Sequence, residues 1–217
     1  MANINLEQFF PTPKDITAHT AIEAMLTVEG GYIHHKNDRG GETNYGITKE
    51  TVETYRHLWA KHQYTGDMRK LPRALAHEIY YEVYWKTPGC DLIDQYSDLL
   101  AYQVFDVAVN MGTSTAGKFL QRALNESNVA LKRTDGTRIT PLVVDGNIGP
   151  TTRQAIKSYF EQCGDAGIPF LLYHHLRSQE QRYHRIVERD PSQRVFLKGW
   201  LNRISSKQRY YDRFVKK

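Results

Sequence analysis

The sequence predicts a mainly α-helical protein built as one domain, with at most a small β-hairpin. Apolar residues recur at three- and four-residue spacing through most of the chain, which is the period of a helix with one buried face. No repeat, low-complexity segment or long linker marks a domain boundary. One polar, glycine-rich stretch interrupts the helical pattern early in the chain, between Glu29 and Thr48.

The first helix is carried by Ile16, His19, Ile22, Met25 and Leu26 and runs directly into Glu29-Gly30-Gly31-Tyr32. A second helix is expected to start at Thr48, whose hydroxyl can cap free backbone amides. Ile47 before it and Val52 within it form an apolar staple. Leu71-Pro72 opens a third helix, with proline at the first helical position, running to about Lys86. Ser97 to Met111 is the most apolar segment and stops at Gly112, so it is expected to be the central core helix. A shorter helix follows from Thr115 to Glu126. Leu131 to Ile139, around Asp135-Gly136, reads as a small hairpin, and Asp145-Gly146 and Gly149-Pro150 as turns. Helices resume at Thr151–Cys163, from Pro169 to about Glu188, and from Gln193 toward the terminus.

Composition excludes several classes. With 40% hydrophobic and 12% aromatic residues, the 217-residue chain can bury a core and is not a disordered segment. It has no run of eighteen apolar residues to span a membrane. Met1-Ala2-Asn3-Ile4-Asn5-Leu6-Glu7 lacks the basic start and apolar stretch of a secretory signal. The expected location is therefore the cytoplasm of the producing cell, unless something else releases the protein. Cys90 and Cys163 read as free thiols. Charge is uneven: residues 176–217 hold 12 Lys/Arg against 4 Asp/Glu, and the other 175 residues hold 17 against 20. The resulting +8 in the last part of the chain suggests an anionic polymer or envelope surface as partner, or simply a solvated helix face.

A carboxylate at a helix end, backed by glycines, can sit half-buried with the raised pKa of a general acid. Glu29 is the candidate. Glycine lets the following loop approach a ligand closely. Asp38, in Asn37-Asp38-Arg39-Gly40-Gly41, is the candidate second carboxylate, against the alternative that it only forms the turn. Thr43 or Asn44 could hold a water, and Glu42 is a weaker rival of Asp38. Tyr32 and Tyr45 could offer flat ring faces to a ligand or pack in the core. Asn110 could hydrogen-bond a ligand or satisfy loop backbone. His34-His35 and His174-His175 are adjacent pairs that point apart, and no H-E-x-x-H or paired-cysteine pattern occurs, so no metal and no cofactor are expected. Phosphate-binding and G-x-S-x-G loops are also missing.

Glu29-Gly30-Gly31-Tyr32 and the run from Asp38 to Thr48 resemble glycoside hydrolase family 108, the endolysin and secretion-activator type of N-acetylmuramidase. The resemblance continues through Glu78-Ile79-Tyr80-Tyr81, Tyr84-Trp85, Phe105 to Gly112, Val144 to Thr152 and Lys198 to Arg203, in the family's order. It implies one lysozyme-like catalytic domain over 1–217. Residues 15–95 would form the catalytic helix-loop region, and residues 96–217 the core helices with a peptidoglycan-binding-like region packed onto it. The implied reaction is cleavage of the β-1,4 bond between N-acetylmuramic acid and N-acetylglucosamine in peptidoglycan, with Glu29 as acid and Asp38, Thr43 or Asn44 assisting. The spacing of Glu29, Asp38 and Asn44 also resembles the phage lysozyme pattern, with Asn44 standing where that pattern has threonine. A phage endolysin, monomeric by default, is the expected biology. The rivals are a lytic transglycosylase and a non-catalytic wall- or nucleic-acid-binding protein.

Overall fold

The computed structural model describes residues 16–28, 30–34, 41–127, 137 and 140–215. Helix α1 (Ala18–Val28) leads into a small antiparallel sheet of β1 (Ile33–His34), β2 (Glu42–Asn44) and β3 (Ile47–Thr48), in the order β1-β2-β3. Then come α2 (Lys49–Thr54), α3 (Arg73–Tyr80), α4 (Cys90–Ile93), α5 (Asp98–Met111), α6 (Thr113–Glu126), α7 (Pro150–Cys163), α8 (Ile168–Arg189) and α9 (Arg194–Val215). The mainly α class is as expected. No helix among the described residues is long and apolar enough to cross a membrane.

The sheet occupies the glycine-rich stretch, where periodicity alone indicates only a loop. The hairpin expected over Leu131–Ile139 lies outside the described residues. Three short strands carry too little alternation to be seen in sequence. What makes the β2–β3 hairpin is its two-residue turn: Tyr45 and Gly46 both have positive φ, 52° and 70°, closing the Asn44–Ile47 pair. Such a turn matches the right-handed twist of the strands it joins.

Helix α2 starts as expected, with Thr48 capping the Thr51 amide and Ile47 and Val52 both buried. Pro72 caps α3 from just outside rather than sitting in its first turn. The α3 helix then widens into a π-helical turn, Tyr81–Lys86, which buries Trp85 against Phe105. Its looser winding swings Tyr81 to Trp85 around the axis, a change that a strict 3.6-residue period does not anticipate.

Helix α5 is the hub. From Leu99 to Ala108 every residue is buried, and it packs on α4, α6 and α8. Ser97 caps it and Gly112, at φ 89°, ends it. Helices α8 and α9 form an antiparallel pair around the turn at Pro191–Gln193, where Asp190 accepts the Ser192 amide. Cys90 and Cys163 are both free, and burial pushes the Cys90 thiol up.

A buried polar strip runs where α5, α8 and α9 meet. Asp106, fully buried in α5, accepts from Arg203 and Lys207 of α9. Gln103 is bonded to His175, Gln179 and Tyr211. Burial alone would raise the Asp106 carboxyl, but the two cations hold it below the ordinary carboxylate range. Burial lowers Lys207 to about 8 and His175 to about 3.

Candidate active site

The first part of the chain forms a layer of α1, the sheet and α3. Arg73 on α3 grips Glu23 on α1 at 2.7 Å and also reaches Thr27. Tyr80 of α3 donates to the Tyr45 carbonyl at 3.0 Å, holding the hairpin turn against the helix. Helix α1 stops at Val28, and Gly30, at φ 78°, turns the chain toward β1. Among the described residues, a side chain at Gly30, Gly31 or Gly41 would meet nothing within 4 Å. At Gly30 and Gly41 the glycine therefore serves the positive φ.

Glu29 and Asp38 lie outside the described residues. The structure does place the rest of the candidate set. Thr43 is half-buried on β2, with its hydroxyl 3.5 Å from the Ile33 carbonyl. Asn44 points the other way, as alternate strand residues must. It is buried, and its amide donates to the Met68 carbonyl at 2.6 Å, which fastens the sheet to the turn at Met68–Lys70.

Tyr32 is half-buried and donates to Glu42 at 2.9 Å, and the Arg69 guanidinium lies 5.5 Å over its ring. Desolvation, then the bond to Glu42, pushes its phenol up. Tyr45 is half-buried in the turn, with Arg73 5.9 Å over its ring. Asn110 is not with this group: it is exposed at the end of α5, and its amide donates to the Asp106 carbonyl one turn back.

A side-chain network that sequence reasoning missed stands on the sheet. Glu42 accepts from Lys49 at 2.7 Å and from Tyr32, and these bonds lower its pKa, Lys49 contributing most. Glu42 is thus held ionised, fit to be a fixed negative charge and unfit to be a proton donor. The buried Asp106 was legible in principle: an aspartate inside the apolar run Val104–Val109 must find a counter-ion or give up its charge.

One cluster among the described residues could hold a divalent cation. Donor atoms of His19, Glu23 and His77 lie within 4.8 Å of one another. Arg73 already neutralises Glu23 there, and the two imidazoles bond each other at 3.0 Å.

A helical body with a small three-stranded antiparallel sheet beside the glycine-turned end of α1 is a mainly α, lysozyme-like architecture. Residues 22–112 match the family model described as Glycosyl hydrolase 108, and residues 115–205 match the one described as Predicted Peptidoglycan domain. Residues 22–112 thus carry a glycosyl hydrolase 108 region and residues 115–205 a peptidoglycan domain, and together they make the chain a peptidoglycan hydrolase of the muramidase kind. Among solved structures it is similar to Brucella abortus SagA, with 25% identity over 90% of this chain and 94% of that one, at a TM-score of 0.54. No curated protein matches it significantly.

Proposed function

We propose that Glu29 is the general acid of a muramidase that cuts the β-1,4 bond between N-acetylmuramic acid and N-acetylglucosamine. Glu29 would protonate the glycosidic oxygen while Asp38 stabilises the developing oxocarbenium ion or steers water. The carrying observation is the junction itself: α1 ends at Val28, one residue before Glu29, in a chain segment inside the family match, and Gly30 turns the chain there at φ 78°.

The neighbouring groups fit these roles by elimination. Glu42 is held ionised, so it cannot supply the proton. Asn44 has its amide committed to Met68, which leaves the Thr43 hydroxyl as the better-placed partner for a water. Tyr32 and Tyr45 keep one ring face toward an arginine, so any sugar stacks on the other. Asn110 has no geometric link to this group and is retained only as an outlying glycan contact.

The two matched regions are read as one catalytic unit over 1–217, because Asp106 of the first is bound by Arg203 of the second and by Lys207 just beyond it. A phage endolysin, acting as a monomer and released from the host cytoplasm to the wall, is the biology we favour. The basic C-terminal third would assist contact with an anionic envelope.

Muralytic assays on purified peptidoglycan test the reading. Glu29→Gln should lose at least about 100-fold in rate, the lower end of a positioned proton donor's contribution, with circular dichroism unchanged. Mass spectrometry should find reducing N-acetylmuramic acid ends. Anhydro ends would make the protein a transglycosylase. Full activity in the variant would remove Glu29 from the mechanism.

A further inference from the structure

Between α6 and α8 lies a cleft of about 190 Å³ whose charged lining is wholly cationic. Lys118 and Arg122 come from α6, and Arg182, Arg185 and Arg189 from α8. Among the described residues none of the five makes an ion pair with an acid, and Lys118 acts only at a distance on Asp145. On α6 the pair is spaced i, i+4, and on α8 the arginines fall at i, i+3 and i+7. Like charges at such spacings repel along each helix, and here the two stripes also line one cleft. Folding gains nothing from this arrangement. A bound anion does.

We propose that this cleft receives the carboxylates of peptidoglycan peptide stems. The inference rests on peptidoglycan being the partner, and extends it to the part of the polymer that is recognised. The whole cleft falls within residues 115–205, the region matching the peptidoglycan model. Unmodified glycan strands of that polymer are neutral apart from their peptides, so five cations there have only the stems to meet. Arginine's planar fork takes a carboxylate through two parallel hydrogen bonds. Phe119 and Ile186 add apolar lining that suits the alkyl part of a stem residue. The shape selects as well: a small concave cleft admits a narrow branch of a polymer, whereas a flat membrane surface cannot enter it.

The test uses the full chain and a soluble uncrosslinked muropeptide, followed by calorimetry. Arg182→Gln/Arg185→Gln should weaken binding at least about tenfold, a factor easily resolved, while Arg182→Lys/Arg185→Lys retains part of the affinity. The double glutamine variant should melt no lower than wild type, since it relieves repulsion. Methylamidating the muropeptide's carboxylates should abolish wild-type binding. Hydrolysis of glycan strands stripped of their stems, with the lactyl carboxylates so exposed methylamidated, should be the same in wild type and variant. Equal binding of amidated and free muropeptide would overturn the proposal, as would an unaffected variant. Tighter competition by inorganic polyphosphate than by muropeptide would reassign the cleft to a phosphate polymer. Failure of the muramidase reading would look different: muropeptide would bind normally, yet no glycan would be cut.

Discussion

Replacing Asp106 by asparagine keeps the shape of the side chain and removes its charge from a fully buried position. Two cations then lose their counter-ion, and they respond differently. Lys207 can shed its proton. Its pKa already stands at about 8, so releasing the proton at pH 7 limits this part of the cost to about 1.4 kcal/mol. Arg203 has no such escape, and losing a hydrogen bond to a charged group costs about 1.5–3 kcal/mol. The sum, about 3–4 kcal/mol, agrees with the general figure of about 3–5 kcal/mol for breaking a buried pair by removing one partner. For a chain of this size that corresponds to a fall in melting temperature of about 6–16 °C. Urea denaturation at pH 7 measures it directly. At pH 9 Lys207 is neutral in both proteins, so the penalty should shrink by about 1.4 kcal/mol. Adding Lys207→Met to Asp106→Asn should recover a similar amount at pH 7. A loss below about 1 kcal/mol at pH 7, with no pH dependence, would show that Asp106 is not the counter-ion on which Arg203 and Lys207 depend.

Four further outcomes follow from particular contacts. A Cβ on Gly117 would lie 2.3 Å from the Gly146 carbonyl oxygen, so Gly117→Ala must push the segment around Asp145–Gly149 off α6; we expect a loss of about 1–3 kcal/mol by thermal melting. His175 has a folded pKa of about 3 against an unfolded value near 6.5, so the unfolded chain binds the extra proton first; stability should fall as pH drops from 6.5 toward 3, by up to about 1.4 kcal/mol per pH unit. His175→Gln should lose that part of the slope, and an unchanged acid profile would refute the assignment. On the sheet, Asn44→Ala should cost about 0.5–1.5 kcal/mol by removing the shorter of the two hydrogen bonds to the Met68 carbonyl, which keeps the Leu71 amide at 3.4 Å. Thr43→Val should stay within about 0.5 kcal/mol of wild-type stability while lowering muralytic activity, and equal activity would exclude its hydroxyl from the site.

The sequence by itself determined the helices and the chemistry-bearing segment, because both are local. Periodicity located α1 and α5 to α9 to within a few residues, since one buried face recurs every turn. Thr48, Ser97 and Gly112 announced their helix ends through hydrogen-bonding side chains or positive φ, which are properties of single residues. The glycine-turned end of α1 stood out because a carboxylate beside glycines suits no buried helix. Tertiary structure decided everything that depends on who faces whom. Strands of two or three residues have no period to read, so the sheet emerged only through Tyr45-Gly46 and the anchors to Met68 and Tyr80. Sequence left Thr43 and Asn44 equivalent, and opposite faces of one strand separated them. Asp106 meets Arg203 and Lys207 across about a hundred residues, and Lys118 meets Arg182 across more than sixty. Charge counting saw only a basic C-terminal third. Packing divided it into cations that neutralise a buried aspartate and cations left lining an open cleft, because burial makes a counter-ion obligatory in one place and leaves room for a ligand in the other.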